Sequence, residues 1–407
     1  MKILFVSSDR PLDLDVYVHG LFQRMRLLMD AMKEIAQIHI LFYEFPDHDL
    51  SQASTRRIEE ELSAAWNIDF KITLCPMRRY PYENPMKNFW PGIFDFCYQR
   101  SYYETSGPDQ IKAFEEMLDR KPDWVFVHRL RSSGPVMKTK KDLPPVVLDL
   151  DDIEHQAYLR YLNRPPSRRN KLLYYAHVPS LFWGEYRAIR KAYRTLICSE
   201  NDKRYLEGLG LSGIERIPNA VRIPPEQPLT ESPTLMFMGP YVYPPNVYAV
   251  EFLIRDIWPA IHHEMPEAKL LIAGQHPEEI RYYGDDIPGV EYLGFVKDLQ
   301  ALYRKTRIVC CPVQMGGGTR IKILEGASYG KPIVCTTVGA EGIGMRDGEE
   351  ILLCDHAWDF AKICLELLRN HEQCEKLGRK AQAFVREHYT REKVIRKIQE
   401  VLRIQGS

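Results

Sequence analysis

The sequence predicts an α/β protein of two doubly wound domains, each a parallel sheet covered by helices. Three observations carry this. Short apolar runs alternate with longer helical patterns in both halves of the chain, the signature of strand–helix–strand units. A proline-rich polar stretch, Ile217-Pro218-Asn219 followed by Ile223-Pro224-Pro225-Glu226-Gln227-Pro228 and Ser232-Pro233, interrupts that alternation near the middle. The chain has 407 residues, and at roughly 150 per domain that predicts two or three domains.

In the first half, strands are predicted at Ile3 to Ser7, Ile38 to Tyr43, Trp124 to His128, Val146 to Leu150 and Thr195 to Ser199. After a first loop from Ser7 to His19, Gly20 begins a long helix through Arg24, Arg26, Leu27 and Leu28. In the second half the strands are Thr234 to Met238, Lys269 to Ala273, Val290 to Leu293, Ile308 to Pro312, Pro332 to Cys335 and Ile351 to Cys354. From Ala357 to Leu402 the chain reads as successive amphipathic helices, with Phe360, Ile363, Leu367 and Leu368 on one face and Val394, Ile395, Ile398, Val401 and Leu402 on a later one. The predicted division is a first domain at 1–217, a linker at 218–232, a second domain at 233–386 and a final helix at 387–407. No internal repeat is evident.

Lysine plus arginine equals aspartate plus glutamate at 55 each, so net charge argues against a general nucleic-acid binder and against a disordered chain. The nine cysteines form no CxxC pair, and several lie in apolar runs. They read as reduced core residues, which predicts a cytoplasmic protein. The opening run Met1 to Val6 is too short for a signal peptide, and no later apolar run approaches the ~20 residues that a membrane span needs.

The most informative segment is Cys311-Pro312-Val313-Gln314-Met315-Gly316-Gly317-Gly318-Thr319-Arg320-Ile321-Lys322-Ile323-Leu324-Glu325. A strand ends, three glycines follow and a helix begins near Thr319. Glycines let backbone approach a ligand closely, and a helix N-terminus presents unpaired N–H groups, so the geometry suits a phosphate. Arg320 and Lys322 add two cations; Glu325, further along the helix, could accept hydrogen bonds from sugar hydroxyls. Residue types alone leave a second reading open, a flexible turn beside solvated helix charges. The segment has neither GxGxxG nor a Lys-Ser/Thr pair after the last glycine.

The run from Gly317 to Val334 resembles the donor-site signature of glycosyltransferase family 4. Supporting matches follow in the family's order: Phe237-Met238-Gly239, Pro245-Asn246, Ile272-Ala273-Gly274 and Leu293-Gly294-Phe295-Val296, with Ser199 to Asn201 and Ile217 to Ala220 before them. The resemblance covers the second half and is thinner over the first. It implies the GT-B architecture: two Rossmann-like domains facing a cleft, with C-terminal helices crossing back to the first domain. It also implies a nucleoside-diphosphate sugar, UDP or GDP, as co-substrate, an acceptor on the first domain, retention of anomeric configuration, and no cofactor or catalytic metal. The implied donor-binding residues are Gly239, Phe295, Val296, Gly316, Gly317, Gly318, Thr319, Arg320, Lys322 and Glu325. Arg320, Lys322 and His128 are the catalytic candidates.

Two positions depart from the family pattern. Gly317 stands where many members carry the first of two glutamates, leaving Glu325 to match the second. The Arg and Lys that many members place after the first strand of this domain are replaced by Gly239-Pro240-Tyr241-Val242-Tyr243-Pro244, so Arg320 and Lys322 are candidates for the lost charge. In such enzymes charge grows on the leaving diphosphate in the transition state, and cations there stabilise it.

On the acceptor side, His128 closes its strand and resembles a cleft-lining histidine of the family; a hydrogen-bonded loop residue is the other reading. Gly20 matches one glycine of a family pair, and Asp152 and Glu154 could orient an acceptor or merely order their loop. Asp149-Leu150-Asp151-Asp152 spells a DxD metal motif, but its place after a first-domain strand favours loop ordering or acceptor contact over metal binding.

From Arg160 to Arg194 the chain carries Arg164, Arg168, Arg169, Lys171, Arg187, Arg190 and Lys191 against the single acid Glu185, interleaved with aromatic residues. That pattern fits peripheral contact with an anionic membrane at its inner face, which would suit a lipid-linked acceptor. An ordinary solvated helix face, with the rings in the core, is the alternative. The function expected is therefore a retaining glycosyltransferase acting on a glycan or lipid-linked acceptor in surface polysaccharide or glycoconjugate assembly. A nucleotide-sugar epimerase of the same fold, and a non-catalytic nucleotide-sugar or glycan-binding assembly subunit, are the alternatives.

Overall fold

The computed structural model describes residues 1–11, 20–81, 86–163 and 169–403. They form two compact units, one made of residues 1–11, 24–217 and 395–403, the other of 20–23 and 218–394. In the first unit the strands are β1 (Lys2–Ser7), β2 (Gln37–Glu44), β3 (Phe70–Pro76), β4 (Trp124–His128), β5 (Val146–Asp151), β6 (Arg194–Ile197) and β7 (Ile214–Arg216). They form one sheet in the order β3-β2-β1-β4-β5-β6-β7, with every neighbouring pair parallel.

The second unit holds β8 (Thr234–Met238), β9 (Lys269–Ala273), β10 (Val290–Gly294), β11 (Ile308–Cys311), β12 (Ile333–Cys335) and β13 (Leu352–Leu353). Their order is β10-β9-β8-β11-β12-β13, again parallel throughout. Each sheet grows outward in both directions from a central pair, β1 and β4 in the first and β8 and β11 in the second. This is the doubly wound dinucleotide-fold order.

The central strands are apolar through their middles because helices cover both faces of a parallel sheet. Ile3 to Val6, Trp124 to Val127, Leu235 to Phe237 and Ile308 to Cys311 are all buried. The sequence reading missed two strands, β3 and β7, both at the far edges. β3 buries Phe70, Ile72 and Cys75 but leaves Lys71 and Pro76 outward, so it never reads as an apolar run. β7 is three residues long. The strand predicted at 195–199 stops at Ile197, and Ser199 instead caps the helix Glu200–Gly208, its Oγ accepting from the Asp202 N–H at 3.0 Å. The strand predicted at 351–354 contracts to Leu352–Leu353.

The tail forms helices Ala357–Arg369, His371–His388 and Arg391–Arg403. The chain passes to the first unit inside the last of these, at Ile395, rather than at residue 387. Tyr389 explains the delay: it is buried, its hydroxyl donates to the Ile343 carbonyl, and its own carbonyl accepts from Val221 N at 2.9 Å. The segment predicted as a linker, 218–232, is counted with the second unit, where Asn219 Nδ2 donates to Thr319 Oγ1 at 2.8 Å. The last helix supplies Ile398, Val401 and Leu402 to burial, and Gln399 Nε2 donates to the Ala31 carbonyl at 3.1 Å in the first unit. All nine cysteines are free thiols, and all but Cys354 are fully buried.

Candidate functional site

In the second sheet, connections leave β8 and β11 toward opposite sides, so a crevice opens outside their carboxyl ends, where doubly wound sheets bind ligands. The glycine loop follows β11 at that place. Gly316 and Gly318 have φ of 96° and 65°, a region that favours glycine. A side chain at Gly316 would put its Cβ 2.8 Å from the Tyr243 hydroxyl. The helix Ile321–Ser328 begins two residues later than predicted, with Arg320 as its N-cap in extended conformation.

Arg320 and Lys322, paired in the sequence reading, do different things. The Arg320 guanidinium folds back on its own loop. It donates to the carbonyls of Gly317 and Gly318, to Gly316 at 2.9 Å and to Met315 at 3.2 Å. It therefore holds the glycines in place. Lys322 reaches across to the end of β8. Its Nζ donates to Asn246 Oδ1 at 2.7 Å and lies 4.2 Å from the centre of the Phe237 ring, a cation–π contact. Asn246 in turn donates to the Pro240 carbonyl at 2.9 Å.

Gly239 makes room for this arrangement, since a Cβ there would meet Asn246 Nδ2 at 2.6 Å and Lys322 Nζ at 2.8 Å. The ammonium thus stands at the end of β8, beside Gly239. Burial lowers the Lys322 pKa to about 8, and the Arg320 charge pushes the same way against an opposing effect of Cys311. Asn246 was noticed in the sequence but not assigned to the site. Its position on the first turn of the helix Pro244–Phe252 was legible; its bond to Lys322 was not.

The other predicted donor residues lie around this centre. Thr319 is buried and bonded to Asn219. Phe295 and Val296 follow Gly294 at the end of β10, two strands from β8, and Val296 packs on the unit's core. The strand ends are drawn together: Gly274 N donates to the Gly294 carbonyl at 2.7 Å, and a Cβ on Gly274 would lie 1.9 Å from the Gly239 carbonyl oxygen. Glu325 sits further along its helix, where burial raises its pKa to about 7 and its charge acts on Tyr303 and Tyr329.

The first unit has its own crevice position, between the ends of β1 and β4. His128 ends β4 there, wholly buried, with Nδ1 3.1 Å from Ser7 Oγ and Nε2 without a hydrogen-bond partner. Burial lowers its pKa, against the raising effect of Asp149 and Asp9. Arg129, which follows β4, and Asp151, which ends β5, are held at positive φ despite carrying side chains, at 67° and 60°. Such strain collects at functional positions. Burial, then the charges of Glu154 and Asp151, raise the Asp152 pKa to about 7. Burial also raises that of Glu154, against Arg129. The Glu154 N–H is held by Glu185 Oε1 at 2.9 Å. Gly20 is the first residue of the helix Gly20–Met32.

Asp149, which opens the DxD spelling inside the strand predicted at 146–150, lies within β5 and is fully buried against Arg24. Arg24 Nε donates to its two carboxylate oxygens at 3.0 and 2.9 Å, and Arg24 Nη1 to the Ile217 carbonyl at 3.1 Å. Asp151 accepts from the Cys198 thiol at 3.1 Å. The DxD spelling therefore resolves into a structural ion pair and a strained strand end. Among the described residues no group of His, Cys, Asp or Glu is arranged to hold a metal ion. Arg164 and Arg168 lie outside the described residues.

Residues 232–370 match the family model described as "Glycosyl transferases group 1". The chain is 23% identical over 303 residues, 72% of its length and 78% of the relative's, to an uncharacterised 44.6 kDa protein in the cps region of Klebsiella pneumoniae. It is 28% identical over 181 residues to the phosphatidyl-myo-inositol mannosyltransferase of Mycobacterium leprae, a match covering 40% of this chain and 46% of that protein. Among solved structures it is similar to sucrose-phosphate synthase from Thermosynechococcus elongatus (TM-score 0.70, 14% identity, 99% and 98% of the two chains). It is also similar to Anabaena HepE in complex with UDP and glucose (TM-score 0.65, 13% identity, 99% of each chain). With two parallel-sheet α/β units, the chain has the GT-B fold.

Proposed function

We propose that the protein is a glycosyltransferase that moves a sugar from a nucleoside diphosphate to an acceptor in polysaccharide assembly. The observation that carries this is Lys322. A glycine loop, a helix N-terminus and one ammonium converge at the switch point of the second sheet, which suits a diphosphate and its growing negative charge. In this reading Lys322 and the backbone N–H groups opening the helix neutralise the leaving group, while Arg320 keeps the loop shaped for it. The matched family model, the cps-region relative and the UDP complex of HepE support the reading.

The finer parts belong to the same proposal. The donor is a UDP or GDP sugar. Configuration is retained, with the acceptor hydroxyl entering on the side the diphosphate leaves and a phosphate oxygen taking its proton, so side chains and backbone dipoles perform the role of a metal. The acceptor is a glycan or lipid-linked glycan held by the first unit near His128, Asp152 and Glu154, and the chain meets the inner face of a membrane through residues 160–194.

A thermal-shift titration with UDP, GDP and their sugars tests the core of this. A ligand at a hundredfold its dissociation constant should stabilise the folded state by about 2.7 kcal/mol. One nucleotide should raise the melting temperature, and Lys322→Met should remove most of that rise while melting near wild type without ligand. Arg320→Ala should instead lower the melting temperature before any ligand is added. No shift with any nucleotide would sink the donor site.

A further inference from the structure

The first unit carries an exposed apolar surface that the sequence reading placed only in part. The helix Met86–Phe94 turns Phe89 inward and Trp90 and Phe94 outward, the latter two 60% and 83% exposed. Lys87, Trp90 and Phe94 fall at i, i+3 and i+7 and share one face. This helix is fastened to the segment 177–180. His177 Nε2 donates to the Phe89 carbonyl at 2.9 Å, Ser180 Oγ donates to the Gly92 carbonyl, and Gln99 Nε2 donates to the His177 carbonyl at 2.9 Å. The Phe89 ring lies 4.7 Å from that of His177 and 5.8 Å from that of Tyr174.

Beside it, the helix Arg169–Tyr174 exposes Leu172 and Leu173, and the helix Val178–Lys191 exposes Trp183 with Arg187 and Arg190 on the same face. Trp90 and Phe94 are thus held out of the core by buried polar contacts that fasten their helix to the segment 177–180. Helices 86–94 and 169–174 contain no carboxylate, and the single one on 178–191, Glu185, is buried and bound to His155. Lys87, Arg187 and Arg190 border the apolar surface, and the carboxylate that follows Phe94, Asp95, is paired with Lys138. Two copies meeting through it would set cation against cation, which disfavours self-association.

We infer that this surface docks the protein on an anionic lipid bilayer, with Trp90 and Phe94 entering the headgroup layer and Lys87, Arg187 and Arg190 facing lipid phosphates. Aromatic rings beside cations suit that boundary. The inference deepens the membrane contact proposed above and rests on that part of it alone. It moves the inserting residues out of segment 160–194 and onto the helix Met86–Phe94.

Flotation of the full chain with vesicles tests it, comparing phosphatidylcholine alone with a mixture containing phosphatidylglycerol. Binding should require the anionic lipid and weaken with salt. Trp90→Ser with Phe94→Ser should lower partitioning about tenfold or more. Lys87→Glu, Arg187→Glu and Arg190→Glu should each lower it about fivefold on anionic vesicles. All variants should keep the wild-type melting temperature and nucleotide shift, which shows that they are folded. No flotation on either vesicle, or a double serine variant that floats like wild type, overturns the inference. So does a concentration-dependent dimer that the double variant abolishes. A nucleotide shift without flotation overturns the membrane surface alone; flotation without a nucleotide shift overturns the donor site alone.

Discussion

Lys322 and Arg320 stand two residues apart in sequence and part company in space. From the sequence either could have supplied a cation to the end of β8. The direction of each side chain depends on what surrounds it: four carbonyls of a tight glycine loop surround Arg320, while Asn246 and Phe237 receive Lys322. A pH dependence follows. In the free protein Lys322 titrates near about 8, because burial favours its neutral form. A bound diphosphate favours the ammonium and raises that pKa, so affinity should be level just below pH 8 and fall as pH rises through it, by at most about tenfold per unit. Glu325, titrating near about 7, is already charged there and adds no slope. Calorimetric titration with the binding nucleotide on either side of pH 8 checks this. Lys322→Arg, whose cation does not titrate in that range, should be flat; an equal slope in both proteins would remove Lys322 from the site.

At the scale of elements, every interior strand was legible, while of the four edge strands β10 and β13 were predicted and β3 and β7 were not. The middles of β1, β4, β8 and β11 are buried on both faces and read as apolar runs. β3 lies at an edge, and its half-exposed alternation ends in proline. The crossing of helix His371–His388 over the turn before β12 was likewise invisible in sequence. A Cβ on Gly378 would lie 2.0 Å from the Gly330 carbonyl oxygen, and Gln382 Nε2 donates to the Ser328 carbonyl at 2.8 Å along the same contact. Gly378→Ala should therefore destabilise by about 1–3 kcal/mol in urea unfolding, although alanine alone favours a helix by about 1 kcal/mol. A neutral or stabilising result would mean that the crossing is looser than drawn.

At the scale of the whole molecule, the proposed donor site belongs to one unit, and hydrogen exchange should show it. The nucleotide that raises the melting temperature should protect backbone amides most strongly at 239–241 and 317–322. Protection concentrated instead at the ends of β1 and β4 would place the nucleotide in the first unit. The sequence by itself determined two doubly wound sheets, because apolar runs of strand length separated by amphipathic helices bury their surface in few other ways. It also located the glycine loop, because a strand end, three glycines and a helix start are local features. Tertiary structure alone decided that Asp149 is a buried partner of Arg24, that Tyr389 holds the tail to the second unit through residue 394, and that Lys322 stands at the end of β8. Each of these joins residues dozens to hundreds of positions apart, and burial and hydrogen bonding select such partners only once the sheets have brought them within reach.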